Sequence, residues 1–423
     1  MEVTIERILP GGLGLAHAEG KTIMVALAAP GDRLRVRIDR VKGNVSFALI
    51  EEIISPSPYR VEPPCPYFGR CGGCDFQQMS YQAQLEAKAE IIRDCLRRLG
   101  RIESVPDFQV TPAPNAWHYR SRAQWQHDSI RQRLGYFESG TRSVCDVADC
   151  AVLAPLLQQT LEGLRVRMRN SSLSEDVRDI RAVLGDDDQV AIAPDRVRSP
   201  TPGSPAGHPG WGGAVRESDD PTGTSAVVRD ITRTIHGETY RLNAESFFQA
   251  NDDLSPQLID SAVAGASGDM AVELYCGVGL FTLPLARRFA HVVGIEGDRA
   301  AAAFARTNLS HAGLTNAQIV NQDVGRWLAE ITESASAKAA ALKDKLDFLL
   351  LDPPRTGADS RVVAGILKLK PKRICYVSCD PATLARDLKK LIAGGYTLQT
   401  IAAFDMFPQT HHVETVVHLI CEF

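Results

Sequence analysis

Hydrophobic and polar residues follow three different patterns along this chain, and each pattern predicts a different architecture. Residues 1–56 alternate short β-branched runs with glycine turns, which is typical of a small β-barrel. Residues 81–100 carry apolar side chains at helical spacing, with Gly100 as the expected stop. From residue 271 onward, apolar runs of strand length alternate with helical segments, which predicts an α/β fold.

Four apolar runs mark the strands of the α/β part. They are residues 271–274, 292–296, 347–351 and 373–377. In an open α/β sheet, ligands bind outside the carboxyl ends of the strands. Polar residues that directly follow these runs are therefore the candidates for chemistry.

A glycine turn follows the first run and contains Tyr275, Gly277 and Gly279. The second run ends on Glu296, 19 positions after Gly277, where a carboxylate can accept both hydroxyls of a ribose. The third glycine of the dinucleotide pattern is missing, and no P-loop lysine follows. The turn is therefore not built to hold a pyrophosphate.

Three polar residues near the other strands are candidates for catalysis. Cys379 follows the fourth run, where a thiolate could attack carbon without a strong base; the alternative is a small buried thiol. Asp352 ends the third run beside the glycine turn, and its alternative role is to cap a turn. Glu414 lies in an apolar run, where burial raises the pKa of a carboxyl group toward the range of a general base. A carboxylate at the rim of an edge strand is the alternative.

Clustered cysteines predict a metal site. Five residues separate Cys65 from Cys71, and two separate Cys71 from Cys74. In a reducing compartment, thiols at this spacing are metal ligands more often than disulfide partners. Cys145 or Cys150 could supply a fourth ligand. Zinc and iron–sulfur clusters both accept four thiolates, so the spacing does not choose between them.

Composition sets the broad class of the protein. The chain has 423 residues, of which 44% are apolar and 23% charged, as expected for two or three globular domains. Its N-terminus has no signal-peptide pattern, and its apolar runs are too short to span a membrane, so we expect a cytoplasmic protein. The net charge of −4 argues against wholesale coating of nucleic acid but permits local basic faces.

Two stretches predict such basic faces. Arg33, Arg35 and Arg37 alternate along one strand and would share its face. Residues 117–126 interleave aromatic and basic side chains, as in surfaces that stack bases and bind phosphates. In both places an ordinary solvated strand face is the alternative.

Two further stretches have the composition of insertions. Residues 196–225 are rich in Pro, Gly and Ser, which predicts a mobile loop without chemistry of its own. Residues 333–340 are rich in Ala and Lys, which favours a helix.

Taken together, the motifs resemble those of the RNA 5-methyluridine methyltransferases. The similar stretches are YVSCDP at 376–381, DPPR at 352–355, DMFPQT at 405–410, HVE at 412–414, SFFQ at 246–249, and the cysteine cluster. The N-terminal barrel resembles a TRAM domain. A TRAM domain combined with a cysteine cluster is similar to the branch of the family that methylates 23S ribosomal RNA.

The resemblance implies a domain organisation and cofactors. It implies a TRAM-like OB barrel at 1–56, a central iron–sulfur domain with RNA-binding strands at 57–235, and a Rossmann-like methyltransferase domain at 236–423. The implied cofactors are S-adenosylmethionine (SAM) and a 4Fe–4S cluster. The ligands that the resemblance implies for the cluster are Cys65, Cys71, Cys74 and Cys150, with Cys145 as a spare.

The resemblance also implies roles for single residues. Cys379 matches the nucleophile and Glu414 the general base. The implied SAM contacts are Gln249, Tyr275, Gly277, Gly279, Glu296, Asp323 and Asp352. The expected RNA contacts are Arg120 and Arg122. Two residues depart from the family pattern: Leu280 replaces a polar cofactor contact of some members, and Glu273 replaces an aspartate.

The expected function is transfer of a methyl group from SAM to carbon 5 of a uridine in RNA. The implied substrate is 23S ribosomal RNA, and the implied route is a covalent adduct between Cys379 and carbon 6 of the uracil. We expect a monomer. The alternatives are a transfer-RNA methyltransferase and a non-catalytic RNA-binding or assembly protein.

Overall fold

The computed structural model describes residues 1–196, 227–334, 336, 340, 342 and 344–421. Apart from its first residue, the insertion expected at 196–225 lies outside these residues. In the part of the chain that the model describes, no helix is both long and apolar enough to cross a membrane.

The N-terminal segment is a six-stranded sheet around its own core. Its strands are β1 (Glu2–Thr4), β2 (Arg7–Ile8), β3 (Gly14–Ala18), β4 (Lys21–Val25), β5 (Arg33–Lys42) and β6 (Val45–Ser55), in the order β1-β5-β6-β4-β3-β2. Alternate residues point inward, so that Val3, Ile23 and Leu34 from three strands meet in one apolar core. The predicted series of short strands is confirmed.

The central segment combines a second six-stranded sheet with two helices. Its elements are α1 (Tyr81–Arg98), β7 (Val110–Thr111), β8 (Arg122–Asp128), β9 (Arg133–Phe137), β10 (Val144–Asp146), α2 (Pro155–Arg169), β11 (Val177–Leu184), a 3₁₀ turn (Asp186–Asp188), β12 (Val190–Arg196) and β13 (Val227–Val228). The order in the sheet is β10-β9-β8-β11-β12-β13. Helix α1 begins where the periodicity predicts, because the Ser80 hydroxyl accepts a hydrogen bond from the backbone N–H of Ala83.

A hairpin leads into the C-terminal part. Its strands are β14 (Asp230–Ile235) and β15 (Glu238–Asn243). The boundary expected between residues 235 and 236 falls in the turn of this hairpin.

The C-terminal part is a doubly wound sheet with helices on both faces. Its helices are α3 (Ser255–Ala262), α4 (Thr282–Ala286), α5 (Arg299–His311), α6 (Val324–Glu333), α7 (Ser360–Leu369) and α8 (Pro381–Ala393). Its strands are β16 (Gly268–Leu274), β17 (Phe289–Glu296), β18 (Ala317–Asn321), β19 (Leu346–Leu351), β20 (Arg373–Ser378), β21 (Tyr396–Phe404) and β22 (Glu414–Cys421). The sheet order is β18-β17-β16-β19-β20-β22-β21-β7, and β22 alone runs antiparallel to its neighbours. The expected Rossmann-like fold is confirmed.

Strand β19 shows why this sheet needs helices on both faces. Leu349 and Leu351 point into the core that includes α1, α7 and α8, whereas Phe348 and Leu350 point into the core on the opposite face. A strand buried on both sides reads as a continuous apolar run. The central segment is joined to this sheet because α1 packs on one face and β7 pairs with β21 at the edge.

The helix expected over residues 333–340 is wrong at its start. Helix α6 ends at Glu333, Ser334 is extended, and Ser336 lies in a bend. The Ser334 hydroxyl accepts a hydrogen bond from the backbone N–H of Ser336, 3.1 Å away. Serine side chains compete with helical hydrogen bonds in this way. Most of the remaining stretch lies outside the described residues.

Candidate active site

The candidate catalytic residues gather at one edge of the C-terminal sheet. Strands β16, β19 and β20 are parallel and adjacent, and they end at Leu274, Leu351 and Ser378. The next residues in the chain are Tyr275, Asp352 and Cys379. Parallel strands end at the same edge, so these residues share one cleft rim.

Glu414 reaches the same edge from the opposite direction. Strand β22 runs antiparallel to β20, and its register places Thr415 opposite Ser378. Glu414 directly precedes Thr415, and Cys379 directly follows Ser378. The carboxyl group of Glu414 raises the pKa of Cys379 electrostatically. The start of β22 therefore brings a carboxyl group beside the candidate nucleophile.

Burial dominates the electrostatics of Cys379. It raises the pKa of the thiol to about 12, and Glu414 adds to that shift, whereas Arg355 lowers the pKa. A thiol with this pKa is protonated at neutral pH. Arg355 is exposed and stands three positions after Asp352 in the double-proline loop.

The two carboxyl groups beside Cys379 are also desolvated. Glu414 is only 3% exposed. Burial, and next the charge of Asp352, hold the pKa of Glu414 well above its usual value, while Arg355 opposes the shift. Burial raises the pKa of Asp352 to about 7. Because each of these acids is desolvated and Asp352 also raises the pKa of Glu414, the pair shares fewer than two negative charges near neutral pH.

The glycine turn holds a third carboxylate. Tyr275, Gly277 and Gly279 adopt positive φ angles of 65°, 54° and 95°. The Gly277 N–H donates to Glu296 Oε2 at 2.8 Å, and the Asp298 N–H donates to Oε1 at 2.7 Å. These bonds fix the carboxylate at the end of β17 and leave lone pairs free for ribose hydroxyls.

Two further residues are expected to contact the cofactor. Gln249 is 2% exposed, and within the described part of the chain its side-chain oxygen has no hydrogen-bond partner. An unpaired buried acceptor is costly unless a ligand satisfies it. Asp323 is exposed and caps α6, because its carboxylate accepts the Arg326 N–H at 2.9 Å.

The two departures from the family pattern have clear structural settings. Glu273 is 1% exposed and accepts a hydrogen bond from the Thr282 hydroxyl. Burial raises the pKa of Glu273 to about 8. Leu280 is buried in the core, and only its backbone carbonyl makes a polar contact, with the Tyr240 hydroxyl at 3.1 Å. Its side chain offers no hydrogen bond to a cofactor.

The four cysteines expected to bind a cluster line one cavity. They are Cys65, Cys71, Cys74 and Cys150. Burial raises the pKa of Cys71 to about 11 and that of Cys74 to about 12, so these thiols are neutral until a metal binds them. Cys145 is 1% exposed and instead accepts a hydrogen bond from Arg70 Nε at 3.3 Å.

The form of the cavity bears on which metal group fits. Among the described residues, no three His, Cys, Asp or Glu side chains stand close enough to bind one metal ion together. The four thiols around the cavity are a donor set that both a zinc ion and a four-iron cluster accept.

Comparisons with known proteins agree with this geometry. Residues 227–422 match the model of the tRNA (Uracil-5-)-methyltransferase family, and residues 1–50 match the TRAM domain. The chain is 33% identical to 23S rRNA (uracil(1939)-C(5))-methyltransferase RlmD of Pectobacterium atrosepticum, over 98% of this chain and 92% of that protein. It is 32% identical to an uncharacterized RNA methyltransferase of Thermosynechococcus vestitus, over 99% of this chain and 97% of the relative.

A solved structure is similar over the whole length. It is the Pyrococcus abyssi tRNA (uracil-54, C5)-methyltransferase in complex with S-adenosyl-L-homocysteine, with a TM-score of 0.72 and 25% identity over 99% of this chain and 100% of that one. The chain belongs to the RNA (uracil-C5)-methyltransferase family. Its N-terminal barrel is a TRAM domain.

In this methyltransferase, the two arginines expected to contact RNA are engaged inside the protein. Arg120 lines the cysteine cavity, and its Nε donates to the carbonyl of Arg122 at 3.0 Å. Arg122 donates to the carbonyls of Ala244, at 2.9 Å, and Ser246. Their contact with RNA stays a prediction.

The arginine row of the TRAM domain is exposed on one face of β5, as predicted, but it is paired. Arg33 contacts Glu2 at 3.1 Å, Arg35 contacts Glu52 and Glu2, and Arg37 contacts Glu51 at 3.4 Å. A phosphate would have to displace these carboxylates. These partners lie on β1 and β6, so the alternation of residues along β5 does not reveal them.

Arg355 is a functional candidate that sequence reasoning did not assign. Its charge lowers the pKa values of both Cys379 and Glu414. The sequence could have indicated this role, because Arg355 stands three positions after Asp352 in the double-proline loop and therefore near the same strand end.

Proposed function

We propose that this methyltransferase modifies carbon 5 of a uridine in 23S ribosomal RNA through a covalent adduct between Cys379 and carbon 6 of the base. The position of Cys379 beside Glu414, across the β20–β22 pairing, carries the proposal. A thiol and a carboxyl group that lie together at the carboxyl edge of the sheet can act as a nucleophile and a proton acceptor. The likeness to 23S ribosomal RNA methyltransferases over 98% of the chain supports the choice of substrate.

Cys379 performs the first step. Carbon 5 of uracil is a weak nucleophile, but addition of the Cys379 thiolate to carbon 6 turns the ring into an enolate and places electron density on carbon 5. Arg355 favours the thiolate form, because its charge lowers the pKa of Cys379. The uridine has to leave its stack to reach this buried thiol, so a loop or single-stranded target is expected.

Glu414 performs the last step. After methylation, its carboxylate takes the proton from carbon 5, the electron pair of that C–H bond forms the carbon 5–carbon 6 double bond, and the Cys379 thiolate leaves. Burial holds the pKa of Glu414 well above its usual value, which makes the carboxylate a stronger base once it has lost its own proton.

The cofactor residues serve to hold a nucleoside. When bound, SAM supplies the methyl group to carbon 5. We assign Glu296 to the ribose, Asp323 to the adenine, and Gln249 and Tyr275 to the rest of the cofactor, with Gly277 and Gly279 shaping the turn. The half-buried Asp352 and the buried Glu273 are acids near the same edge, which suits a cationic sulfonium.

Cys65, Cys71, Cys74 and Cys150 are proposed to hold a 4Fe–4S cluster. The cavity between them and the buried thiols in its wall support this assignment. The cluster would bind and orient the central segment, and the methyl transfer needs no redox chemistry from it. We propose domain limits at 1–56, 57–235 and 236–423. We also propose that the protein is a monomer.

A denaturing gel with labelled RNA tests the proposal. We expect Glu414→Gln to accumulate a covalent enzyme–RNA adduct in the presence of SAM, because the proton on carbon 5 is no longer removed. Cys379→Ala should form no adduct and no product. Absence of an adduct with Glu414→Gln would reject the assignment of Glu414, and methylation by Cys379→Ala would reject the covalent route.

Transfer RNA is the second candidate substrate. The full-length structural likeness to a tRNA (uracil-54, C5)-methyltransferase favours it. Mapping 5-methyluridine in total RNA from a strain without the gene separates the two. Loss of a site in 23S ribosomal RNA supports the first substrate, and loss in transfer RNA supports the second. A purely RNA-binding role is disfavoured, since such a role needs neither Cys379 nor Glu414.

A further inference from the structure

The loop that delivers Glu414 to the active site is held by the central segment. Residues 405–413 connect β21 to β22 and end directly before Glu414. Lys88 of α1, which is fully buried, contacts Asp405 Oδ1 at 2.5 Å and the Phe407 carbonyl at 3.1 Å. Gln84 of the same helix exchanges two hydrogen bonds with Gln409, each 3.0 Å long. The start of this loop is therefore fixed to α1.

The end of the loop is held by the residue that follows a cysteine of the cavity. Asp75 comes directly after Cys74. Its Oδ1 accepts the His411 N–H at 2.8 Å, and its Oδ2 lies 2.5 Å from His411 Nδ1. In return, the N–H groups of Asp75 and Phe76 donate to the Gln409 carbonyl, at 3.1 and 3.0 Å. Four hydrogen bonds thus join the two segments within five residues of Glu414.

The backbone in this loop depends on such support. Gln409 has a φ of 70°, in the left-handed region that non-glycine residues seldom adopt. A conformation of this kind persists when surrounding contacts over-determine it. The contacts from Asp75, Phe76 and Gln84 supply that constraint.

We propose that Asp75 is a positioning residue that sets the location of Glu414 for removal of the carbon-5 proton. This inference rests on the proposed function. Asp75 touches neither the base nor the cofactor in the proposed reaction; it acts through His411 and the loop. Displacement of a catalytic group by about 1 Å can cost on the order of a hundredfold in rate. Glu414 is needed only after methylation, so the loss falls on adduct breakdown.

This prediction differs from that of a merely structural residue. If Asp75 only stabilised the fold or the cluster, its loss would lower adduct formation and product together. If it positions Glu414, its loss slows only the last step. The covalent enzyme–RNA adduct then accumulates although RNA and cofactor still bind.

The experiment compares Asp75→Ala with Asp149→Ala in the full-length, cluster-loaded protein. Asp149 is an exposed acid that also adjoins a cysteine of the cavity, Cys150. We expect Asp75→Ala to lower kcat about tenfold to a hundredfold, to leave KM for RNA within about twofold, and to accumulate the adduct on denaturing gels. Its visible iron–sulfur absorbance should match that of the wild type. Asp149→Ala should turn over normally without visible adduct.

A second pair of variants breaks the same contact from the other side. His411→Ala removes the ring that meets Asp75, and His411→Asn keeps a nitrogen donor near that position. We expect adduct accumulation with His411→Ala and partial rescue with His411→Asn. This pair decides the question if Asp75→Ala disturbs the cluster.

Two results would overturn the inference. One is wild-type turnover in both Asp75→Ala and His411→Ala. The other is slow turnover without adduct in both. Failure of the proposed function is recognised separately, because Glu414→Gln itself would then form no adduct.

Discussion

The cysteine cavity and the active site both hold partly buried thiols, but the charges that act on these thiols differ. In the cavity, the guanidinium of Arg120 lowers the pKa values of Cys74 and Cys150 against the larger effect of burial. Around Cys379, the nearest acids are Glu414 and Asp352, which add to the effect of burial. Cys74 and Cys150 therefore have the cation Arg120 as a neighbour, whereas Cys379 has two acids, Glu414 and Asp352, and the exposed cation Arg355.

The difference follows from what each site is proposed to bind. Four thiolates around a 4Fe–4S cluster would form a group with excess negative charge, which the partly buried Arg120 would stabilise. The acids Asp352, Glu273 and Glu414 of the active site would stabilise the sulfonium cation of SAM. Charge in each pocket thus complements a ligand rather than the thiols themselves.

The largest expected effect concerns the active-site thiol. We expect Cys379→Ala to lower kcat by at least about 10⁴-fold, because no other described group takes over attack on carbon 6. The control is Cys421→Ala, which removes a partly buried thiol from the far end of β22. Single-turnover methylation of RNA measures both. Substantial activity in Cys379→Ala would mean that Cys379 is only a buried thiol.

The next largest effect concerns the fourth ligand of the proposed cluster, for which Cys150 and Cys145 are the two candidates. Cys150 lines the cavity, whereas Cys145 accepts a hydrogen bond from Arg70. We expect Cys150→Ala to lose most of the iron and the visible absorbance of anaerobically purified protein, since a four-iron cluster takes four thiolates. Cys145→Ala should keep both. The reverse outcome would assign Cys145 as the ligand.

The parts of this comparison that the sequence could predict are local ones. The positions of Asp352 and Cys379 at strand ends could be predicted, because each follows an apolar run within one or two residues. The start of α1 at Tyr81 could likewise be predicted from spacing and from Ser80. These elements depend on periodicity and capping, which neighbouring residues determine.

The parts that could not be predicted depend on which segments meet. Glu414 lies beside Cys379 because β22 is antiparallel to β20 in a particular register. Arg120 belongs to a basic and aromatic stretch, yet it lines the cysteine cavity, since alternation along a strand does not reveal what covers each face. The same holds for Arg35, whose partners Glu2 and Glu52 are distant in sequence.

A smaller effect is expected in the pH dependence of cofactor binding. Burial raises the pKa of Asp352 to about 7 and that of Glu273 to about 8. Both groups are neutral below these values and negative above them, so affinity for the cationic SAM should rise as pH rises through this range. Neutral S-adenosylhomocysteine should bind with little change. Calorimetry should show that the ratio of SAM affinity to S-adenosylhomocysteine affinity increases roughly tenfold over this pH range. That increase corresponds to an electrostatic gain of about 1.4 kcal/mol in the free energy of SAM binding.

Asp352→Asn serves as the control for that measurement. The amide keeps the shape of the side chain but does not ionise in this range. We expect its pH dependence to be flatter than that of the wild type. Parallel curves for the two ligands in the wild-type protein would show that the buried acids do not complement a cation.

The smallest expected effect concerns Arg355, the cation beside Cys379. Its charge lowers the pKa of the thiol, but Arg355 is exposed, so solvent and salt screen its influence. We expect Arg355→Gln to slow alkylation of Cys379 by iodoacetamide at neutral pH about twofold to threefold, measured by mass spectrometry of the Cys379 peptide.

The control is Arg361→Gln, on the exposed side of α7, which should leave the rate of alkylation unchanged. The difference between Arg355→Gln and wild type should shrink in high salt, because a through-solvent interaction is screened. A tenfold slowing that persists in high salt would show instead that Arg355 acts on Cys379 as a desolvated partner, as we infer for Arg120 in the cysteine cavity.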